Sequence, residues 1–190
     1  MEKTNIGFAI TGSFCTHEKI LQVIQNLVGQ GHEVFPIVSE ITAKTSTRFG
    51  EFNQFLSTLE KITGHKPLGS IVAVEPTGPQ NLFEILVVAP CTGNTLAKIA
   101  NGINDTAVTM AVKAHVRNNK PVVIGISTND GLGLNFKNLG TLFAAKNFYF
   151  VPFGQDDHMN KPKSLVADWS LLEETIAKAK EEKQIQPVLI

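Results

Sequence analysis

The chain has 190 residues, of which 43% are hydrophobic, with 17 lysines and arginines balanced by 17 aspartates and glutamates. That composition suits one globular domain over residues 1–190 and excludes a disordered chain, a collagen-like repeat and a miniature disulfide scaffold. A net charge of zero offers no positive field to hold a phosphate polymer or an anionic membrane, so neither nucleic acid nor a membrane is expected as a partner, and weak mutual repulsion favours a homo-oligomer.

Cys15 and Cys91 form neither a CxxC pair nor a metal-knuckle spacing, which fits reduced thiols in a cytoplasmic protein. The first five residues lead directly into the apolar run 6–10, too short for a signal-peptide core and followed by Thr11-Gly12-Ser13. No stretch approaches the roughly 20 apolar residues of a membrane helix.

In chain order, β-rich apolar runs at residues 6–10, 33–38, 71–74, 85–89, 122–126 and 148–151 predict six strands. Between most of them the spacing turns helical. Ile20, Leu21, Ile24, Leu27 and Val28 make one stripe, closed by Gly31, and Phe52, Phe55, Leu56, Leu59 and Ile62 make a second, closed by Gly64. Asp105 or Thr106 caps a third helix carrying Val108, Ala111, Val112 and His115, and Ser170 with Glu173 has the form of a capping box opening the last. Strands that are continuously apolar predict a parallel sheet covered on both faces, a doubly wound, three-layer α/β fold of Rossmann-like or flavodoxin-like type. The tail, with Pro187 followed by Val188, Leu189 and Ile190, is expected to dock on a neighbour.

In such a fold ligands meet the C-terminal strand ends, so the loops after the strands carry the chemistry. After the first strand, Thr11-Gly12-Ser13-Phe14-Cys15-Thr16 offers a glycine for close approach, hydroxyls and helix N-terminal N–H groups, enough for a phosphate. A plain strand-to-helix turn has the same form. The absence of a GxGxxG signature favours a mononucleotide over a dinucleotide. Ser39 ends the second strand, where a ribityl hydroxyl would lie. After residues 85–89, Pro90 fixes a turn and Cys91, Thr92, Gly93, Asn94 and Thr95 cluster small polar groups before a helix.

This last segment, continued by Ala100-Asn101-Gly102 and Asp105, resembles the PASANT segment of the flavin-containing cysteine decarboxylase superfamily and the PCSxxTL segment of flavin prenyltransferases. A branch of that superfamily, the dipicolinate synthase B subunits, is more similar still. The likeness runs through residues 10–16, Ser46-Thr-Arg-Phe-Gly50, 87–94, 117–130 and 150–157. The resemblance implies an FMN site formed by Gly12, Ser13, Ser39, Thr92, Gly93, Asn94, Thr95, Ser127 and Asn129, with Asn129 standing for the clasp asparagine of the decarboxylases; the alternatives are a remnant of that pocket that now holds substrate, or a non-catalytic partner subunit that uses it only as an assembly surface. Their PxMNxxMW clasp, the prenyltransferases' Arg-Glu-Thr segment and the decarboxylases' catalytic histidine are missing, with Pro76 near the last position. Those departures count against both activities.

Arg48 has the fork geometry that suits a carboxylate of a dicarboxylate substrate, although a solvated loop arginine is the simpler alternative. The five histidines lack ligand spacing and predict no metal site. His17, beside the first loop, is the one that could meet a ligand or partner. Asp156, Asp157 and His158 are read as a loop without a catalytic role. The resemblance implies a cytoplasmic oxidoreductase subunit of a sporulating bacterium's mother cell, oxidising dihydrodipicolinate to dipicolinate with a separate A subunit. NAD(P) would bind to that A subunit, since no dinucleotide fingerprint is visible in this chain. It also implies a homo-trimer or higher oligomer. No residue is assigned the proton transfer.

Overall fold

The computed structural model describes residues 3–190. Five strands are parallel: β1 (Asn5–Ile10), β2 (Glu33–Val38), β3 (Ile85–Cys91), β4 (Val122–Thr128) and β5 (Phe148–Phe150), in spatial order β2-β1-β3-β4-β5. β3 is buried along its whole length and β1 after its first residue, because helices cover both faces of the sheet. The helices are α1 (His17–Gly29), α2 (Phe52–Thr63), α3 (Ile71–Val74), α4 (Gly93–Ala100), α5 (Ala107–Arg117), α6 (Phe136–Phe143) and α7 (Leu172–Lys180). The crossover β1-α1-β2 moves one way along the sheet and β3-α5-β4 the other, so right-handed connections put α1 and α5 on opposite faces. That reversal between β1 and β3 leaves a crevice at their C-terminal ends.

The doubly wound core therefore follows the expectation, with one addition at its end. β6 (Phe153–Asp157) and β7 (Lys161–Ala167) form an antiparallel hairpin, and β7 pairs with the last two residues of β4 through Ser127↔Val166 and Thr128↔Leu165. The sheet is thus mixed, with seven strands.

Three local expectations are corrected. Residues 71–74 form the single-turn helix α3: the Ser70 hydroxyl accepts the Ala73 N–H, and the outer edge of β2 is already met by Leu68, whose N–H donates to the Pro36 carbonyl. The last helix is not opened by a Ser170 capping box. Asp168 accepts the Ser170 N–H, a 3-10 turn over Trp169–Leu171 follows, and α7 starts at Leu172. The segment at residues 156–158, read as a loop, lies at the end of β6 and in its turn, where Asn160 N–H and Nδ2 both donate to the Asp157 carboxylate.

The tail docks on its own chain. Phe153 N–H donates to the Val188 carbonyl (3.0 Å) and Ile190 N–H to the Phe153 carbonyl (3.1 Å), along β6. Gly154 permits this, since any Cβ there would strike the Ile190 carbonyl. The helix ends behave as the sequence directs: Gly64, with φ of 73°, closes α2, and Thr106 and Thr109 form a reciprocal capping box on α5.

Candidate functional site

Thr11, immediately after β1, ties two strand-end loops together. Its hydroxyl donates to the Pro90 carbonyl (2.6 Å) and accepts the Thr92 N–H (3.0 Å). Thr92 in turn caps α4, accepting the Thr95 N–H. Ser13 reaches across to the end of β4, its Oγ 2.8 Å from Ser127 Oγ. These bonds hold the ends of β1, β3 and β4 in one wall.

A partly buried polar hub after β4 continues that wall. Asp130 accepts the Thr128 hydroxyl (2.7 Å) and, on both carboxylate oxygens, Asn135 Nδ2 (3.0 and 2.9 Å); Asn138 then donates to Asn135 (2.9 Å). Gly93 lies against the hub so closely that a Cβ would sit 2.5 Å from Asn135 Nδ2, 2.6 Å from Thr128 Oγ1 and 2.8 Å from Asp130 Oδ1. The glycine is a packing requirement that seats the first turn of α4 on the loop after β4.

In front of the wall opens a cleft of about 480 Å³, and the β6–β7 hairpin forms its far side. Of the residues singled out in the sequence, Gly12, Ser13, Thr92, Ser127 and Asn129 line it together. Gly93 and Thr95 are buried beneath it, Thr95 within bonding distance of Thr92 (3.2 Å), and Asn94 is exposed and does not line the cleft. Ser39 is also turned away: its hydroxyl lies 2.9 Å from that of Thr42 and accepts the Thr42 N–H, in a buried turn. Arg48 stays on the exposed 46–50 turn, its guanidinium 4.9 Å from the centre of the Phe49 ring, and it is Phe49 that reaches the cleft.

Four contributors escape a reading of the sequence: the Asp130 hub with Asn135, and the pair Lys161–Asp156 on the hairpin, Nζ to Oδ2 2.8 Å, which lines the cleft mouth. The place of Asp130 beside Asn129 in a post-strand turn is a signal that could have found it. Lys161 has no such signal, because its relevance depends on the hairpin folding back over β4.

A second recess of about 290 Å³ adjoins the first, sharing Phe14, Cys15 and Phe49, and is walled by α1 and α2. His17 sits in it, buried, stacked on Phe55 with ring centres 4.5 Å apart, and its Nε2 lies 2.9 Å from the Thr11 carbonyl. A carbonyl can only accept, so Nε2 carries the proton. Burial lowers the His17 pKa, partly opposed by that bond, and the ring is neutral near neutral pH. His17 is thus a packed side chain that lines this recess. Burial likewise pushes the Cys91 thiol up to about 12, so it is a packing residue and no nucleophile.

Among the described residues no group of three or more His, Cys, Asp or Glu side chains could hold a metal, and no helix is long and apolar enough to cross a membrane. What the cleft offers is a polar wall of hydroxyls, an amide and strand-end N–H groups facing one ammonium group.

Comparison with known proteins gives the family. The chain is 49% identical to the dipicolinate synthase B subunit of Bacillus subtilis (strain 168), over 97% of this chain and 92% of that protein. The crystal structure of the dipicolinate synthase B subunit from Bacillus halodurans C superposes with a TM-score of 0.90 at 46% identity, covering 98% of this chain and 96% of that one. The FMN binding protein AtHal3 shares the fold, with a TM-score of 0.67 at 18% identity over 97% of this chain and 100% of that one. The family model described as Flavoprotein matches residues 1–186, and the chain belongs to that family.

Proposed function

We propose that this chain is the B subunit of a dipicolinate synthase, a cytoplasmic oxidoreductase of sporulating cells that works with a separate A subunit to oxidise dihydrodipicolinate to pyridine-2,6-dicarboxylate. The observation that carries this reading is the 49% identity extending over 97% of the chain to a protein of that name.

The cleft fits an FMN. At about 480 Å³ it lies within the roughly 300–1,000 Å³ of small-molecule and cofactor sites, and its donor set is suited to a phosphate and a polyol. Ser13 and the N–H groups of the turn after Gly12 would hold the phosphate, and Thr92, Ser127 and Asn129 the ribityl chain and ring edge. Gly93 and Thr95 serve the same end from beneath, by seating α4. The flavin, when bound, supplies a two-electron acceptor. Aromatisation removes a hydride and a proton from each substrate molecule, and NAD(P) on the A subunit is the terminal acceptor in this proposal. The chain's own residues bind and orient: hydroxyls at the strand ends fix the ring system, and the Asp130 hub keeps the Asn129 loop in place. Copies of the chain associate as a trimer or higher oligomer.

Fluorescence titration of the purified chain with FMN tests the pocket. Saturable quenching, lost when Ser13 and Thr92 are both replaced by bulky residues, is the expected result. Failure to take up FMN would leave the chain without a working flavin cleft and contradict the assignment of the pocket.

A further inference from the structure

The walls of the cleft hold two carboxylates and one ammonium group among the described residues: Asp130, Asp156 and Lys161. The Asp130 carboxylate accepts both Asn135 contacts and the Thr128 hydroxyl. Asp156 is engaged by Lys161. An anionic ligand entering this space meets two negative charges, which a facing positive charge offsets. Lys161 has three donors, of which Asp156 takes one.

The hairpin that carries Lys161 is anchored on three sides. β7 pairs with Ser127 and Thr128, the Asp157–Asn160 turn is closed by two side-chain bonds, and the tail runs along β6. Lys161 and Cys15 line the same cleft, so the ammonium group borders that space as well as the solvent beyond it. The sequence alone points to Arg48 for this task, but that guanidinium is outside the cleft, over Phe49.

We propose that Lys161, steadied by Asp156, is the residue that binds a carboxylate of a small dicarboxylate ligand in the cleft and sets its preference for dianions. The inference rests on the function proposed above and names the group that recognises the substrate class. A carboxylate is one source of negative charge and the phosphate of a flavin nucleotide another, and the proposal commits to the carboxylate, the phosphate being held by the turn after Gly12.

The test is calorimetric titration of the full chain with pyridine-2,6-dicarboxylate, pyridine-2-carboxylate and FMN, for the wild type, Lys161→Gln and Lys161→Arg. Lys161→Gln is expected to weaken the dicarboxylate at least tenfold, to reduce its advantage over the monocarboxylate, and to leave FMN within threefold. Lys161→Arg should recover most of the loss, and an unchanged melting temperature in both variants shows that an exposed ion pair has been altered without harming the fold. Equal dicarboxylate affinity in Lys161→Gln and wild type would overturn the proposal while leaving the wider function standing. Loss of FMN binding with the dicarboxylate unaffected would overturn it too, assigning the charge to the phosphate. So would a wild-type chain that binds no dicarboxylate; the wider function is judged separately by product formation with the A subunit.

Discussion

Gly12 and Gly93 look alike in sequence and differ in what they do. Gly12 lines the cleft and a Cβ on it meets only side chains, Ile41 Cγ2 at 3.1 Å first, whereas a Cβ on Gly93 strikes the Asp130 hub. Gly12→Val is therefore expected to abolish FMN and dipicolinate binding with a small loss of stability, read by titration beside thermal melts. Gly93→Ala should cost about 1–3 kcal/mol by overpacking and disturb Asn129 through the hub, lowering both melting temperature and affinity. If Gly12→Val keeps wild-type affinity, the cleft is not the site. His115 gives a pH test independent of ligand. It is buried with its Nε2 unpartnered, and burial, with help from Lys120, pushes its pKa from 6.5 down to about 4. The unfolded chain takes up a proton near 6.5 and the folded one only near 4, so stability falls as pH drops through that window, by about 3 kcal/mol. Urea unfolding at pH 7.5 and 4.5 should show a smaller loss for His115→Gln than for the wild type; parallel losses would contradict the assignment. At this scale the sequence is legible for capping residues such as Gly64 and Thr106; for Ser39 and Arg48 it does not say which of several nearby partners the side chain takes, and the fold around them selects Thr42 and Phe49.

Elements with a continuous apolar run and a local cap are legible in the sequence: β1, β2, β3, β4, α1, α2 and α5. Residues 71–74 look like a strand because Ile71, Val72 and Val74 favour one, yet only Val74 is buried, and a serine cap with an occupied sheet edge decides for a helical turn. The β6–β7 hairpin escapes notice because it is short and half polar, with Lys161, Pro162 and Lys163 at its start, and it owes its form to pairing with β4 and with the tail. That dependence is measurable. Deleting residues 188–190 removes two backbone bonds along β6 and the packing of Val188, about 2 kcal/mol, and should lower the melting temperature by roughly 4–8 °C. Amide exchange should accelerate at residues 153–157, and dicarboxylate affinity should fall because Lys161 loses its rigid mount. Unchanged exchange on that strand would mean that the hairpin stands without the tail.

For the whole molecule, the alternation of strands and helices is enough for the architecture. The cleft itself is half legible, since two strand-end loops announce it and the third wall comes from residues far along the chain. The neutral surface also carries exposed apolar side chains before and within α6, Leu134 at 84% and Phe136 at 59% exposure, consistent with the proposed self-association. Light scattering should find a trimer or larger at micromolar concentration, and a stable monomer would contradict that part of the proposal. The proposed division of labour between two subunits is tested by dipicolinate formation, followed by its ultraviolet absorbance, with dihydrodipicolinate and NAD(P) supplied. No turnover is expected from this chain alone and product once the A subunit is added, with Lys161→Gln slowing the mixture; robust NAD(P)-dependent synthesis by the single chain, or an A subunit fully active without it, would contradict that division.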